Sequence, residues 1–295
     1  MRLKRSIDSV ILETTGYVVL GGFGLFCILP FILLISGSLT NENTIITSGY
    51  TLWPRNITLY AYQAAFAMPN IILDGYKVTV LITVAGTLLS LLLLTMTAYV
   101  MSRKEFAYRN KIAFYFYFTT LFNGGLVSYY IIMIRYYNMK NNLLALILPG
   151  LINVFYLLMM RNFITQTIHE ALIESARIDG AGDFKIYVRI VLPLLKPAVA
   201  SIGLFIALGY WNDWYNAMLF TSKEELYPLQ YVLNRILTTA QNMDLIAANA
   251  NVKIKLPKES LKLSMTVIAT GPIIFAYPFV QKYFVKGITL GGVKG

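Results

Sequence analysis

The sequence predicts an all-α membrane protein, a polytopic bundle of six transmembrane helices interrupted by one water-exposed helical loop. Three observations predict it. Hydrophobic residues make up 57% of the 295 positions and charged residues only 13%, with a mean hydropathy of +0.61, which is too apolar for a soluble domain. Six stretches approach the ~20 apolar residues that a helix needs to cross a bilayer. The most charged long segment, residues 167–197, falls between two of them.

The first stretch, 16–35, follows the basic start Met1, Arg2, Leu3, Lys4, Arg5 and is long enough to be a retained span rather than a cleaved signal peptide. It contains Cys27, the single cysteine, so no disulfide forms within the chain and a thiol metal site is excluded. Residues 37–75 carry Trp53, Pro54 and several tyrosines, which suit a segment lying at the membrane surface. The next spans are 76–100, 112–134 and 143–163. The fifth is 198–220, and the sixth, 264–284, holds Gly271, Pro272 and Pro278, which are expected to bend it. Between the last two lies 221–263, read as a second long outer segment with Asn234, Gln241, Asn242, Asn249 and Asn251. Either outer segment could meet an external partner or serve only as a connection. Small residues at helix-packing spacing, Gly86 with Ser90 and Gly203 with Ala207, indicate close helix contacts.

The net charge of +11 does not point to nucleic acid, because the basic residues flank apolar spans. Arg2, Lys4, Arg5, Arg103, Lys104, Arg109, Lys111, Arg161, Arg177, Lys185, Arg189, Lys196, Lys282, Lys286 and Lys294 fall on one side, 15 of the 25 Lys and Arg. The excess of basic residues marks the cytoplasmic face. Both termini and the 167–197 loop are therefore expected in the cytoplasm.

Within that loop, Thr167 and Glu170 have capping-box spacing, so a helix is expected from about Ile168 to Asp179. Gly180 and Gly182 then allow a turn. Asp183 opens a second short helix, expected to place Phe184, Tyr187, Val188 and Val191 on one face and to end before Pro193. By composition alone it is a cytoplasmic loop with two surface helices.

In the fifth span the string G-Y-W-N-D-W-Y-N-A-M-L-F, residues 209–220, pairs Trp211 with Tyr215 and Asn212 with Asn216 at four-residue spacing. Amides are costly in lipid and should face the bundle interior, together with Asn123 and Asn153 near the middles of the third and fourth spans. Converging amides and aromatic rings suit an uncharged, hydroxyl-rich ligand such as a sugar. The same aromatics equally suit a belt at the outer interface.

The loop also carries a longer pattern: Glu174, Ser175 and Ala176, three residues, Gly180, nine residues, then Ile190, with Leu192 and Pro193. It resembles the EAA loop of permease subunits of binding-protein-dependent ABC importers, with serine in place of the usual alanine at 175. Six spans, this loop and the terminal K-G-I-T-L-G-G-V-K-G, residues 286–295, are similar to the MalG-type permeases of carbohydrate importers. The segments F-N-G-G-L-V at 122–127 and Y-P-L-Q-Y at 227–231 are similar to the branch for larger oligosaccharides and polysaccharides.

The resemblance implies a type I importer transmembrane domain over 1–295, with a core of about 70–285, a coupling loop at 167–197 and a tail at 286–295. It implies a bacterial cytoplasmic membrane location. Expected partners are a second homologous permease, two ATPase subunits as a homodimer, and an extracellular solute-binding protein that delivers the oligosaccharide. ATP and magnesium belong to the ATPase subunits, and no cofactor or metal to this chain. Glu170, Ala171, Glu174, Ser175, Ala176, Asp179 and Gly180 are the expected ATPase-coupling residues.

Other function classes fit less well. An ion-coupled secondary transporter needs ionisable groups inside the membrane, and only Asp213 is expected there. An enzyme needs gathered catalytic groups, whereas the one histidine, His169, stands in the loop. The G-x-x-x-x-G-K-[ST] loop of ATPases is absent. A permease for another solute remains the open alternative.

Overall fold

Long apolar runs with few turn residues leave the backbone one way to satisfy its hydrogen bonds in lipid, the helix, and the described residues are helical almost throughout. The computed structural model describes residues 7–66, 69–250 and 257–290. In chain order the helices are α1 (Ile7–Ser38), α2 (Glu42–Ser48), α3 (Tyr60–Ala65), α4 (Pro69–Ser102), α5 (Arg109–Leu121), α6 (Gly125–Ile131), α7 (Leu144–Ile147), α8 (Val154–Thr167), α9 (Glu170–Ile178), α10 (Asp183–Ile186), α11 (Leu192–Leu194), α12 (Lys196–Trp211), α13 (Tyr215–Phe220), α14 (Leu229–Ala250) and α15 (Lys258–Leu290). Wider π turns at Ile132–Tyr136 and Tyr187–Val191 extend α6 and α10.

Among the described residues, five of the six expected spans appear as helices or helix pairs apolar enough to cross a membrane, and three of the five are broken. Ile11–Ser38 and Asn70–Ser102 are single apolar helices. The third, fourth and fifth are helix pairs: Arg109–Leu121 with Gly125–Tyr136, bent by 114°; Leu144–Gly150 with Val154–Thr167, by 49°; and Asp183–Leu194 with Lys196–Trp211, by 78°. The sixth apolar stretch lies in α15, which runs through Gly271, Pro272 and Pro278 as one helix.

The chain forms two compact units, Met1–Pro69 with Arg235–Pro272, and Asn70–Asn234 with Ile273–Gly295. In the first, Glu42 caps the start of α15, accepting from the amides of Glu259 and Ser260 at 2.9 Å each and from the Ser260 hydroxyl at 2.7 Å. A carboxylate suits a helix N-terminus, where free amides and the positive end of the dipole meet. Trp53 is 82% exposed. The second long segment, 221–263, contains α14, because the polar residues between Leu229 and Ala250 recur among good helix formers.

The second unit holds the site. Its core joins Leu94, Ala98 and Tyr99 of α4, Leu157, Met160 and Ile164 of α8, Ile173 of α9, Ile186, Tyr187 and Val191 around α10, and Ile202, Ile206 and Tyr210 of α12. Tyr210 fixes the approach of three elements. Its ring fills the space where a Cβ on Gly86 or Gly150 would stand, 2.5 and 2.9 Å from the ring carbon Cζ. Its hydroxyl donates to the Ile147 carbonyl at 2.7 Å. At the other end of α4, the start of α14 is tied in by the Leu229 amide, which donates to Thr79 Oγ1 at 2.8 Å.

Candidate functional site

The loop before α12 is built much as its pattern predicts at the elbow and differently at its start. Gly180 has φ +78°, with nothing within 4 Å of an added Cβ, so glycine is needed for the backbone and not for space. The amides of Gly180 and Ala181 donate to the carbonyls of Arg177 and Ala176, both at 2.9 Å, the paired bonds of a Schellman ending.

The expected capping box does not form. Thr167 is the last residue of α8, α9 begins at Glu170, and His169 precedes it without a side-chain cap bond. The T-x-x-E spacing spans a helix end and the next helix start, so the two side chains do not face each other. The Glu170 carboxylate instead meets Lys104 Nζ at 2.5 Å.

The second half of the loop also departs from the expected face. Tyr187 and Val191 are buried with Ile186, while Phe184 is 71% exposed and Val188 is exposed. The π turn at Tyr187–Val191 shifts the register away from simple α spacing. The helix does not stop before Pro193, which lies in the short α11 turn that follows directly on the π turn.

Of the expected coupling residues, Ala171, Glu174, Ser175, Asp179 and Gly180 are exposed, whereas Glu170 is half-buried and Ala176 packs half-buried against the core. Ile173 anchors α9 from below. Two further apolar residues stand out beside the elbow, Ile178 at 86% exposure and Phe184 at 71%. No spacing set these two apart from the many other apolar residues of the loop.

A line of charges lies along α9. Glu105 accepts from Arg103 at 2.7 Å and from Arg177 at 2.9 Å, and Arg177 also donates to Asp183 at 2.9 Å. Burial pushes the Glu105 carboxyl up, but its own backbone hydrogen bond and the two arginines outweigh this and hold it below the usual range. The hydrogen bond to Asp183, followed by the charges of Asp183 and Glu105, raises Arg177 further.

The predicted pathway residues divide into two groups. Asn123 sits in the break between α5 and α6, where its Oδ1 accepts from the Gly125 amide at 2.8 Å. Gly125 has φ +81°. Asn153 caps α8, accepting from Phe155 at 3.0 Å and more loosely from Tyr156 at 3.4 Å. Both amides stand mid-span because the helices break there and their freed amides need acceptors.

A cavity of about 590 Å³ lies against Asn123, Thr119, Ser128, Tyr129 and Tyr215. Another, of about 340 Å³, lies against Asn153, Tyr156, Tyr210, Asp213 and Asn216. A hydrogen bond joins their linings, since Tyr129 donates to Asn216 Oδ1 at 2.9 Å, and Asn216 Nδ2 donates to Asp213 at 2.7 Å.

Trp211 and Asn212 line neither cavity. The expected continuous face from Trp211 to Asn216 is absent because α12 ends at Trp211, Asn212 is its C-cap, and α13 starts at Tyr215. Asn212 is exposed, donating to the Leu208 carbonyl at 2.9 Å and accepting from Gln230 at 3.2 Å. Asp213, the one acid expected in the fifth span, accepts from the backbone and side-chain amides of Asn216. Its polar atoms are thus spent on holding the turn into α13. The linings offer amides, hydroxyls and aromatic faces, groups that complement hydroxyl-rich, uncharged surfaces.

Residues 44–290 match the family of binding-protein-dependent transport system inner membrane components. The chain is 37% identical over 273 residues to the polygalacturonan/rhamnogalacturonan transport system permease YtcP of Bacillus subtilis, covering 92% of this chain and 94% of that one. It is 28% identical to the trehalose/maltose transport system permease MalG of Thermococcus litoralis, over 92% of this chain and 93% of that one. In three dimensions it matches a chain of the crystal structure of a bacterial ABC transporter involved in the import of the acidic polysaccharide alginate. That match has a TM-score of 0.78 and 28% identity, and covers 96% of this chain and 99% of that one. With a family match over most of its length and relatives aligned nearly end to end, the chain belongs to the inner membrane permeases of binding-protein-dependent ABC transport systems.

Proposed function

We propose that the chain is one of two permease subunits of an importer that moves an oligosaccharide or a polysaccharide fragment across the cytoplasmic membrane. The observation that carries this reading is end-to-end similarity to permeases named for such sugars, at 37% identity in the nearer example. The amide, hydroxyl and aromatic linings joined by Tyr129 and Asn216 fit that class of ligand.

The exposed side of α9, with Ala171, Leu172, Glu174 and Ser175, is the surface on which a separate ATPase subunit docks, and Ile178 and Phe184 supply its apolar anchors. Hydrolysis of ATP with magnesium takes place in that partner, and an external solute-binding protein delivers the sugar. Both termini face the cytoplasm in this arrangement. The basic tail Met1–Arg5, Asn251 and the last five residues of the 286–295 tail lie outside the described residues.

The test is transport by the reconstituted complex with a panel of neutral and acidic oligosaccharides. Uptake of at least one, dependent on ATP and on the binding protein, is the expected result. A complex that hydrolyses ATP and moves none of them, but moves another solute, overturns the substrate class. A cysteine at Arg177→Cys, in a Cys27→Ser chain, should stay unlabelled by an impermeant thiol reagent in intact cells.

A further inference from the structure

Two consecutive residues just after α4, Lys104 and Glu105, reach the two ends of α9. Lys104 Nζ is 2.5 Å from the Glu170 carboxylate, and Glu105 Oε1 is 2.9 Å from Arg177. Glu170 and Arg177 are two turns apart on one face of the helix, with the buried Ile173 between them. The link that carries Lys104 and Glu105 is a run of tight turns. The amides of Arg103, Phe106 and Arg109 donate to the carbonyls of Val100, Arg103 and Phe106 at 3.2, 3.4 and 3.1 Å.

Glu105 is also fixed from its own side. Arg103 donates to it, and the Arg103 guanidinium lies 5.9 Å over the Tyr99 ring. Tyr99 packs against Tyr187 with ring centroids 5.7 Å apart. A continuous set of contacts thus runs from α9 through two side chains into α4.

Burial of Ile173 and half-burial of Ala176 hold the middle of α9 against the core but leave its two ends free to tilt about them. Ion pairs at both ends of one face remove that freedom. Both pairs have access to water, Glu170 being the most buried member at 35% exposure, so neither does much to hold the fold together. Their value lies in direction. We propose that Lys104 and Glu105 are positioning residues that clasp α9 to the end of the second span, so that a displacement of α9 is delivered directly to α4. The proposal rests on α9 being the ATPase-docking helix.

The test uses the complete complex in lipid nanodiscs, with Lys104→Gln plus Glu105→Gln and, separately, the charge swap Lys104→Glu plus Glu170→Lys. Lys104 and Glu105 are 70% and 46% exposed, so the glutamine variant folds. Two quantities are read: hydrogen exchange of the Glu170–Ile178 amides, and sugar moved per ATP hydrolysed. In the glutamine variant the ATPase still co-purifies, exchange quickens severalfold, and sugar per ATP falls about fivefold, the lower end of couplings between sites. Lys104→Glu alone changes both in the same direction, and adding Glu170→Lys brings both back towards wild type. Wild-type behaviour of the glutamine variant overturns the proposal, as does a defect in the swap as large as in Lys104→Glu alone. Faster exchange with unchanged sugar per ATP also overturns it, because the contact is then structural only. If the wild-type complex moves no sugar, the proposed function fails on that result, and the exchange of α9 still decides whether the clasp exists.

Discussion

The second compact unit holds its helices in two ways, and the contrast between the contacts around Tyr210 and those around α9 shows which of them fix the bundle and which aim a helix. Around Tyr210 the elements meet at van der Waals distance on two glycines, and the neutral Tyr210 hydroxyl donates to the Ile147 carbonyl inside the protein. Around α9 the ties are ion pairs between side chains with access to water. A polar bond shielded from water is costly to leave unmade, whereas an exposed ion pair is exchanged for hydration at little cost. The first arrangement defines the bundle. The second sets the direction of a short helix while adding little to the stability of the fold.

The largest effect is therefore expected where packing is tightest. Gly86→Val places a Cβ 2.5 Å from the Tyr210 ring and 2.6 Å from its Cε2. Overpacking of this kind costs ~1–3 kcal/mol or more. The expected outcome is a loss of folded, membrane-inserted protein, measured by yield and melting temperature in detergent. An unchanged melting temperature would mean that the ring swings aside freely and that the bundle is looser than its contacts indicate.

Next come two asparagines of the same string. Asn216→Ala removes the acceptor of Tyr129 and a donor to Asp213, leaving groups short of partners at ~1–3 kcal/mol. Asn212→Ala removes exposed bonds to Leu208 and Gln230. Transport should fall strongly in the first and stay within about twofold in the second, since exposed substitutions seldom exceed ~0.5 kcal/mol. Equal loss in both would put Asn212 back in the pathway.

The same pair shows what the sequence could and could not convey. The apolar spans were legible because apolar length is a local property, and the elbow at Gly180 because a helix ending in the left-handed conformation selects glycine. The break after Trp211 was not legible. Asn, Asp, Trp and Tyr are tolerated in helices, and the turn is stabilised by Asp213 accepting from Asn216, a choice that spacing alone does not reveal. The contact of Tyr210 with Gly86 and Gly150 joins three spans far apart in sequence. Small-residue spacing marked Gly86 but gave no partner. Thr167 and Glu170 misled for the opposite reason, since a local motif matched while the chain changed helices within it.

The elbow gives an intermediate effect. Gly180→Val meets no steric obstacle, so its cost is the left-handed strain alone, ~1–2 kcal/mol. The protein should insert normally, while co-purification of the ATPase and ATP hydrolysis both fall. Gly180→Asn, which tolerates φ > 0 better, should fall less. Equal behaviour of the two would show that backbone conformation at 180 does not set the position of α9.

The smallest effect is expected from the charges, and its pH dependence distinguishes the two regions most finely. Glu105 has its carboxyl held below the ordinary range because its own backbone hydrogen bond, Arg103 and Arg177 outweigh burial. Folding therefore favours its ionised form. That contribution is complete above the unfolded carboxylate pKa, about 4.3, and is lost as pH falls through the lower folded value. Glu105 is largely exposed and screened, so the amount at stake is within about 0.5 kcal/mol. The ratio of α9 amide exchange in wild type to that in Glu105→Gln should stay constant from pH 8 to 5 and move towards one below about pH 4, while the Tyr210 contacts, which are neutral, show no matching change. A ratio that already reaches one above pH 6 lies outside the range of a lowered carboxylate and would remove Glu105 from the account of how α9 is held.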